Sequence, residues 1–237
     1  MTRFAVFSFL LIFLFESCAS LTGYQDGRAL GKNNSEIAVS LNMSQSPDLD
    51  GDNNGNSFYF PNFELYGKYG ITDRLDVGGR LNTNTNFGMY AKYQLIGNRT
   101  TSPFALGVGG ELGTFGLIGG SFWNAQLPLY TSFHTGKTAI YFSPRYIYQF
   151  GAGSGPDLNE FVSANYFGGN TGLIIGNKNK FCLDFGYYLL SGEDSDKIHL
   201  LTYGLGYKRL FGDLDENDNK IELPDGTKQK RKKRKRK

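Results

Sequence analysis

Between residues 30 and 211 the chain alternates apolar residues with polar or small ones, and no window keeps a helical period over three turns. Ile37, Val39 and Leu41, for example, share one face of such a segment. Alternation with a period of two is typical of β-strands that have one apolar and one polar side. We count about ten such segments, mostly near the ~9–11 residues with which a tilted strand crosses a bilayer. The pattern therefore predicts an all-β protein.

The connections between these segments alternate in length. The short turns are 70–74, 97–103, 135–137 and 176–180, and the longer polar loops are 45–57, 114–121, 151–162 and 191–197. The connection at 83–86 is an exception, since it is short where a long loop is expected. Short turns at one end and long loops at the other are typical of transmembrane β-barrels, whose turns face the periplasm. An even number of strands then places both termini on the periplasmic side.

Aromatic residues, 15% of the chain, lie near both ends of the predicted strands, where a barrel has its interfacial belts. Those near turns are Tyr69, Tyr93, Phe104, Phe133, Phe181, Tyr207 and Phe211, and those near loops are Phe58, Tyr59, Phe87, Phe122, Trp123, Tyr148 and Tyr187. A soluble β-sandwich would also bury apolar residues on one face. It explains neither the loop lengths nor the many charged residues on the polar face. We predict an antiparallel up-and-down transmembrane β-barrel of about ten strands at residues 36–211.

Charged residues of both signs alternate onto the face that would point inward. The acidic ones are Glu64, Asp76, Glu111 and Asp184, and the basic ones are Lys68, Arg80, Lys92, Arg145 and Lys208. A barrel of about ten strands has a narrow lumen that side chains can fill. Because buried charges must be paired, we predict that these residues form a polar network that fills the lumen. A path for small solutes or ions is the alternative.

Three segments and the last predicted strand carry a resemblance to known proteins. The segments are 18–42 (CASLTGYQDGRALGKNNSEIAVSLN), 69–78 (YGITDRLDVG) and 143–150 (SPRYIYQF). They resemble a group of bacterial outer-membrane β-barrel proteins, most of them uncharacterised. The strand LTYGLGYKRLF is similar to the C-terminal insertion signal of such barrels through Gly204, Tyr207 and Phe211, and differs from it at Arg209. The resemblance implies architecture and export, and it transfers no catalytic residues.

The N-terminus has the features of an export signal. Arg3 precedes the apolar run FAVFSFLLIFLF, which has signal-peptide length and is too short for a membrane-spanning helix of ~20 residues. The sequence Glu16-Ser17-Cys18 then resembles the lipobox of bacterial lipoproteins, apart from Glu16, and implies lipidation of Cys18. Ordinary signal-peptidase cleavage is the alternative, because Ser17-Cys18-Ala19 and Cys18-Ala19-Ser20 both satisfy a small-x-small rule. We predict a signal peptide at 1–17 and a periplasmic segment at 18–35.

The net charge of +3 belongs to the C-terminal end of the chain. An acidic spacer at 212–227 precedes a polybasic tail at 228–237, KQKRKKRKRK. A basic run can bind nucleic acid, but export excludes that partner. The tail is either solvated and held near its own spacer, or it docks on anionic lipid or cell-wall polymer. The other expected partners are outer-membrane lipids and lipopolysaccharide.

Residues with catalytic or metal-binding potential are few. Ser132 and His134 share a strand face, which loosely resembles barrel lipases, whereas His199 is predicted near the opposite end of the barrel. Asp50, Asp52 and Asn54 match the first half of a Ca²⁺-binding loop that lacks its closing Glu. Neither pattern is complete enough to predict a catalytic or metal site.

We predict a non-enzymatic outer-membrane protein without a cofactor, which serves envelope structure, surface binding or limited passage of small solutes. One alternative is a membrane-embedded hydrolase that acts on lipid or lipopolysaccharide. The other is a lipid-anchored soluble β-sandwich that binds a ligand.

Overall fold

The computed structural model describes residues 21–45, 59–83, 86–115, 120–153, 161–192 and 198–212. These residues form ten strands: β1 (Ser35–Gln45), β2 (Tyr59–Gly70), β3 (Leu75–Asn82), β4 (Phe87–Ile96), β5 (Phe104–Phe115), β6 (Gly120–Thr135), β7 (Thr138–Gly153), β8 (Phe161–Gly176), β9 (Asn179–Gly192) and β10 (Ile198–Phe211). Each strand pairs antiparallel with its neighbours in the sequence, and β1 pairs with β10, so that the sheet closes. The predicted up-and-down barrel is confirmed, and a sandwich of two sheets is excluded. The described residues contain no helix long and apolar enough to cross a membrane.

The two ends of the barrel differ. We call the end with the connections β2–β3, β4–β5, β6–β7 and β8–β9 the turn end, and the opposite end the loop end. At the turn end Gly136 has a φ of 58°, which the first residue of a two-residue hairpin connection can require. The connection β2–β3 closes differently, because the Thr72 hydroxyl accepts hydrogen bonds from the backbone N–H groups of Arg74 and Leu75 at 3.2 and 2.9 Å. Both devices reverse the chain within a few residues.

The outer face of the barrel is apolar. Large side chains at alternating positions, such as Phe63, Leu112 and Phe167, are 60–66% exposed. An apolar surface that surrounds a closed sheet is stable in a bilayer and not in water. Aromatic pairs flank this surface at both ends, with ring centroids 5.7 Å apart for Tyr59 and Tyr203 at the loop end. Phe104–Phe133 and Phe181–Tyr207 are the equivalent pairs at the turn end, at 5.0 and 5.4 Å. The barrel is therefore built to span a membrane.

The inside of the barrel contains a stretch of main chain as well as side chains. Residues 21–34, which we call the lumen segment, form no strand, and most of them are buried. The segment begins at Leu21 within the barrel and leaves at the turn end, where the N–H of Asn33 donates to the carbonyl of Gly70 at 2.9 Å. The sequence predicts this stretch outside the barrel, in a periplasmic segment at 18–35. The structure places its described part in the lumen.

Candidate functional site

Side chains that point inward from many strands bind the N–H groups of the lumen segment. The acceptors are Asp184 for Gly23 (3.1 Å), the Tyr141 hydroxyl for Tyr24 (3.2 Å), the Ser132 hydroxyl for Gly27 (2.9 Å), Gln94 for Ala29 (2.7 Å) and Asp76 for Leu30 (2.9 Å). Buried backbone N–H groups that lack a partner are costly, and a segment outside the sheet ladder cannot use the strands' own carbonyls in register. The inward side chains therefore satisfy the segment in place of a ladder.

The carbonyl groups of the lumen segment are satisfied in the same way. Their donors are Asn170 and Tyr188 for Leu21 (2.8 and 3.2 Å), Arg145 for Thr22 (3.1 Å), Tyr66 (3.2 Å) and Lys208 for Tyr24, and Lys92 for Asp26 and Arg28 (3.2 and 2.6 Å). Several of these donors are charged, and such hydrogen bonds are worth about 1.5–3 kcal/mol each, against ~1 kcal/mol for neutral ones. The segment is held as an ordered plug.

Close backbone approach is part of this fit. Gly27 packs so tightly against β5 that a Cβ on it would lie 2.4 Å from the carbonyl oxygen of Ala105. That distance is shorter than any real contact of a Cβ atom, so a larger residue must displace the backbone. The glycine lets the N–H of residue 27 reach the Ser132 hydroxyl.

The nine charged residues of the predicted lumen network are all buried and point inward. They are Glu64 (4% exposed), Lys68 (5%), Asp76 (0%), Arg80 (7%), Lys92 (0%), Glu111 (4%), Arg145 (3%), Asp184 (5%) and Lys208 (2%). Arg80 binds Glu111 through its Nε at 2.6 Å and lies 3.8 Å from Glu64. Lys92 pairs with Asp76 at 3.3 Å. The structure does not bring the nine into one site but distributes them around the lumen segment.

Two charged residues at inward positions of the strands are not among the nine that the sequence predicts. Glu36 stands at the start of β1, and its carboxylate is surrounded by the ammonium groups of Lys180 (2.9 Å), Lys68 (3.0 Å) and Lys208 (3.8 Å). Residue 36 follows the same alternation as Ala38 and Ser40, so its inward orientation could have been predicted. The turn predicted at 176–180 includes Lys180, which instead belongs to β9 and alternates with Cys182 and Asp184.

A cavity of about 740 Å³ opens at the turn end, between the lumen segment and the ends of the strands. We call it the vestibule. Among the described residues that line it are two carboxylates, Asp26 and Glu36, against seven lysine and arginine side chains. The vestibule is therefore strongly cationic, although the lumen deeper in the barrel carries charges of both signs.

The structure brings Ser132 and His134 together but keeps His199 away from them. The Ser132 hydroxyl lies 2.8 Å from Nε2 of His134 at the turn end, whereas His199 at the loop end lies 2.5 Å from the hydroxyl of Tyr187. Ser132 is fully buried, and its oxygen already accepts a hydrogen bond from Gly27. A nucleophile so placed has no room for a substrate while the lumen segment is present.

Metal sites are absent from the described part of the chain, which contains no group of three His, Cys, Asp or Glu side chains suited to a metal ion. The Ca²⁺-loop candidates Asp50, Asp52 and Asn54 lie outside the described residues, as does Cys18.

Comparisons with known proteins find similar barrels and no family. No family model and no curated protein matches the chain. Among solved structures it is similar to Ail, the attachment invasion locus protein of Yersinia pestis, at 15% identity and a TM-score of 0.33, over 76% of this chain and 99% of Ail. It is also similar to the outer membrane protein OprG of Pseudomonas aeruginosa (14%, 0.35, 77% and 98%) and to the outer membrane protease OmpT of Escherichia coli (9%, 0.41, 79% and 99%). Similarity at this level assigns no activity.

Proposed function

We propose that this protein is a non-enzymatic outer-membrane β-barrel whose lumen is closed by its own lumen segment. The observation that carries the proposal is the position of residues 21–34, which hydrogen bonds tie to inward side chains from the middle of the barrel to the turn end. The apolar outer face supports the membrane location. In this proposal the turn end, where β10 ends, faces the periplasm, and lipids and lipopolysaccharide surround the barrel.

Conductance tests the closed lumen. In planar bilayers we expect the refolded full chain to be silent and a variant that lacks residues 21–30 to conduct ions, because the deletion removes the plug. Deletion of the polybasic tail, residues 228–237, is the matched control and leaves the barrel silent. Stable open channels formed by the full chain would contradict the proposal.

A second measurement covers the case in which the shortened chain does not fold. Trypsin cleaves after Arg28 only if the lumen segment is accessible, and the segment is mostly buried. We expect folded protein, recognised by heat-modifiable gel mobility, to resist cleavage there, and boiled protein to be cut. Rapid cleavage of the folded protein after Arg28 would show that the lumen is not closed.

The hydrolase remains a second candidate, because Ser132 and His134 lie within hydrogen-bond distance. It requires the lumen segment to leave, which would expose Ser132 to a substrate. A fluorophosphonate probe that labels the full chain, and does not label a Ser132→Ala variant, would support this function. Absence of labelling in the full chain and in the variant without residues 21–30 removes it.

The polybasic tail at 228–237 is proposed to dock on anionic lipid headgroups or cell-wall polymer, with about 1 kcal/mol for each basic residue near an anionic surface. Its deletion is expected to reduce co-sedimentation with anionic vesicles at low salt and to leave co-sedimentation with neutral vesicles unchanged. Equal, salt-independent binding of both chains would contradict the docking.

A further inference from the structure

Three lysines and one glutamate meet at the inner wall of the vestibule. Glu36 is 1% exposed, and the ammonium groups of Lys68, Lys180 and Lys208 lie 3.0, 2.9 and 3.8 Å from its carboxylate oxygens. One carboxylate balances one ammonium group, so the cluster has a formal charge of +2. We call these four residues the Glu36 cluster.

Part of this excess charge is met inside the protein. Lys208 donates to the carbonyl of Tyr24 and lies 5.6 Å from the ring centroid of Tyr66. Carbonyl and ring contacts solvate an ammonium group but do not neutralise it. The carboxylate of Asp26, which also lines the vestibule, interacts with the same three lysines, so that with Glu36 it leaves one ammonium charge without a counter-charge. An anion that shares the site can supply that counter-charge.

The cluster is open to such an anion. The side chain of Lys180 is 18% exposed, against 2% for Lys68, and all three lysines line the vestibule. Lys137 and Lys178 are exposed at the mouth of the same cavity, and Arg28 and Arg99 lie along its wall. A concave site with a large excess of one sign of charge within low-dielectric walls concentrates counter-ions. Its volume of about 740 Å³ lies in the range of small-ligand sites.

We propose that the vestibule binds a multiply charged oxyanion, with Lys180 and Lys68 as its direct partners. Lys137 and Lys178, at the mouth of the cavity, attract the anion electrostatically. Oxyanion here means phosphate or carboxylate groups, which accept several hydrogen bonds from ammonium and guanidinium donors at once. Such groups can come from a free anion or from this chain itself. The acidic spacer begins directly after β10, which ends at the turn end, and contains Asp213, Asp215 and Glu216.

Inorganic pyrophosphate is a suitable probe. We expect the folded, detergent-solubilised full chain, or a chain without residues 213–237, to bind it saturably in calorimetric titrations at constant ionic strength. Lys180→Gln should weaken binding at least about tenfold, the effect of one lost charge-assisted hydrogen bond. Lys178→Gln, which leaves the Glu36 cluster intact, should weaken it less. Lys32→Gln is the control, since Lys32 is exposed near the same end without lining the vestibule.

The truncated chain separates the two sources. Tighter pyrophosphate binding after removal of residues 213–237 identifies the acidic spacer as the resident oxyanion, and equal binding identifies a free anion. The proposal is overturned if neither chain binds pyrophosphate saturably, or if Lys32→Gln weakens binding as much as Lys180→Gln. Heat-modifiable mobility of every variant verifies that the barrel is folded. A conducting full chain with an intact pyrophosphate site would refute the closed lumen and leave this inference standing.

Discussion

The ion pair between Asp76 and Lys92 is the sharpest test of how the lumen segment is held. Both side chains are 0% exposed, with Nζ 3.3 Å from the carboxylate. The carboxylate also accepts the N–H of Leu30 at 2.9 and 3.2 Å, and Lys92 donates to the carbonyls of Asp26 and Arg28. The pair thus joins β3, β4 and the lumen segment. Asp76→Asn removes the negative charge with little change in volume.

The expected cost follows from what remains after the substitution. Removal of one partner from a buried ion pair costs about 3–5 kcal/mol, because the other charge stays buried. Lys92 keeps its two carbonyl acceptors, and the amide oxygen of the substituted side chain can still accept one hydrogen bond from Leu30, which favours the lower limit. We expect the free energy of unfolding to fall by about 3 kcal/mol.

The assay is urea unfolding of protein that is folded in lipid vesicles, followed by Trp123 fluorescence and by gel mobility. Asp73→Asn is the matched control, because Asp73 is exposed and accepts one N–H, from Lys32, at 3.3 Å. Its effect should stay within about 0.5 kcal/mol. The double variant Asp76→Asn/Lys92→Gln should be more stable than the sum of the two single effects predicts. If Asp76→Asn costs no more than Asp73→Asn, the pair does not hold the segment and the reasoning is wrong.

Two further predictions test the close fit inside the barrel. Gly27→Ala should destabilise the protein and speed tryptic cleavage after Arg28, because the added Cβ would clash with the Ala105 carbonyl. Gly67→Ala is the control and should do neither, because the space around its Cβ is open. Equal effects of the two substitutions would contradict the close approach of Gly27 to β5. Cys182, 2% exposed and inside the barrel, should react with a maleimide only after unfolding, as measured by mass; rapid labelling of the folded protein would show an open lumen.

The barrel could be predicted from the sequence because the alternation of outward and inward side chains is visible within each strand. In β9, Phe181, Leu183 and Phe185 face outward while Cys182 and Asp184 face inward, so the side chains indicate both the strand and its two environments. The charged residues at inward positions exclude an apolar interior, and the alternation of short turns and long loops indicates an up-and-down barrel.

The lumen segment was not predictable for the opposite reason. Residues 22–34, TGYQDGRALGKNN, are polar and rich in glycine, as an exposed tether is. Their burial depends on partners far along the chain, such as Asp184 for Gly23 and Ser132 for Gly27. No local period encodes such contacts. The sequence nevertheless contains one indication of the lumen segment. The inward strand positions carry many charged and amide side chains, and buried groups of this kind need hydrogen-bond partners, which a stretch of main chain in the lumen can supply.

The position of Leu21 bears on the choice between the two forms of export. Leu21 is 3% exposed and packs against Ile147, Tyr166, Tyr188 and Leu200 inside the barrel. Cys18 is three residues away, a reach of at most ~10 Å. Tyr188 is four strand residues, or ~13 Å, from the loop end of β9, and Asn170, which binds Leu21, is six residues, or ~20 Å, from the turn end of β8.

Acyl chains on Cys18 would have to pass one of these rims to reach lipid, so the position of Leu21 favours cleavage without lipidation. We therefore expect cleavage after Ala19 or Ser20. Intact mass of the protein purified from a membrane should show an unmodified chain that begins at residue 20 or 21, without labelled palmitate. A palmitate label that is lost in Cys18→Ser would refute this prediction.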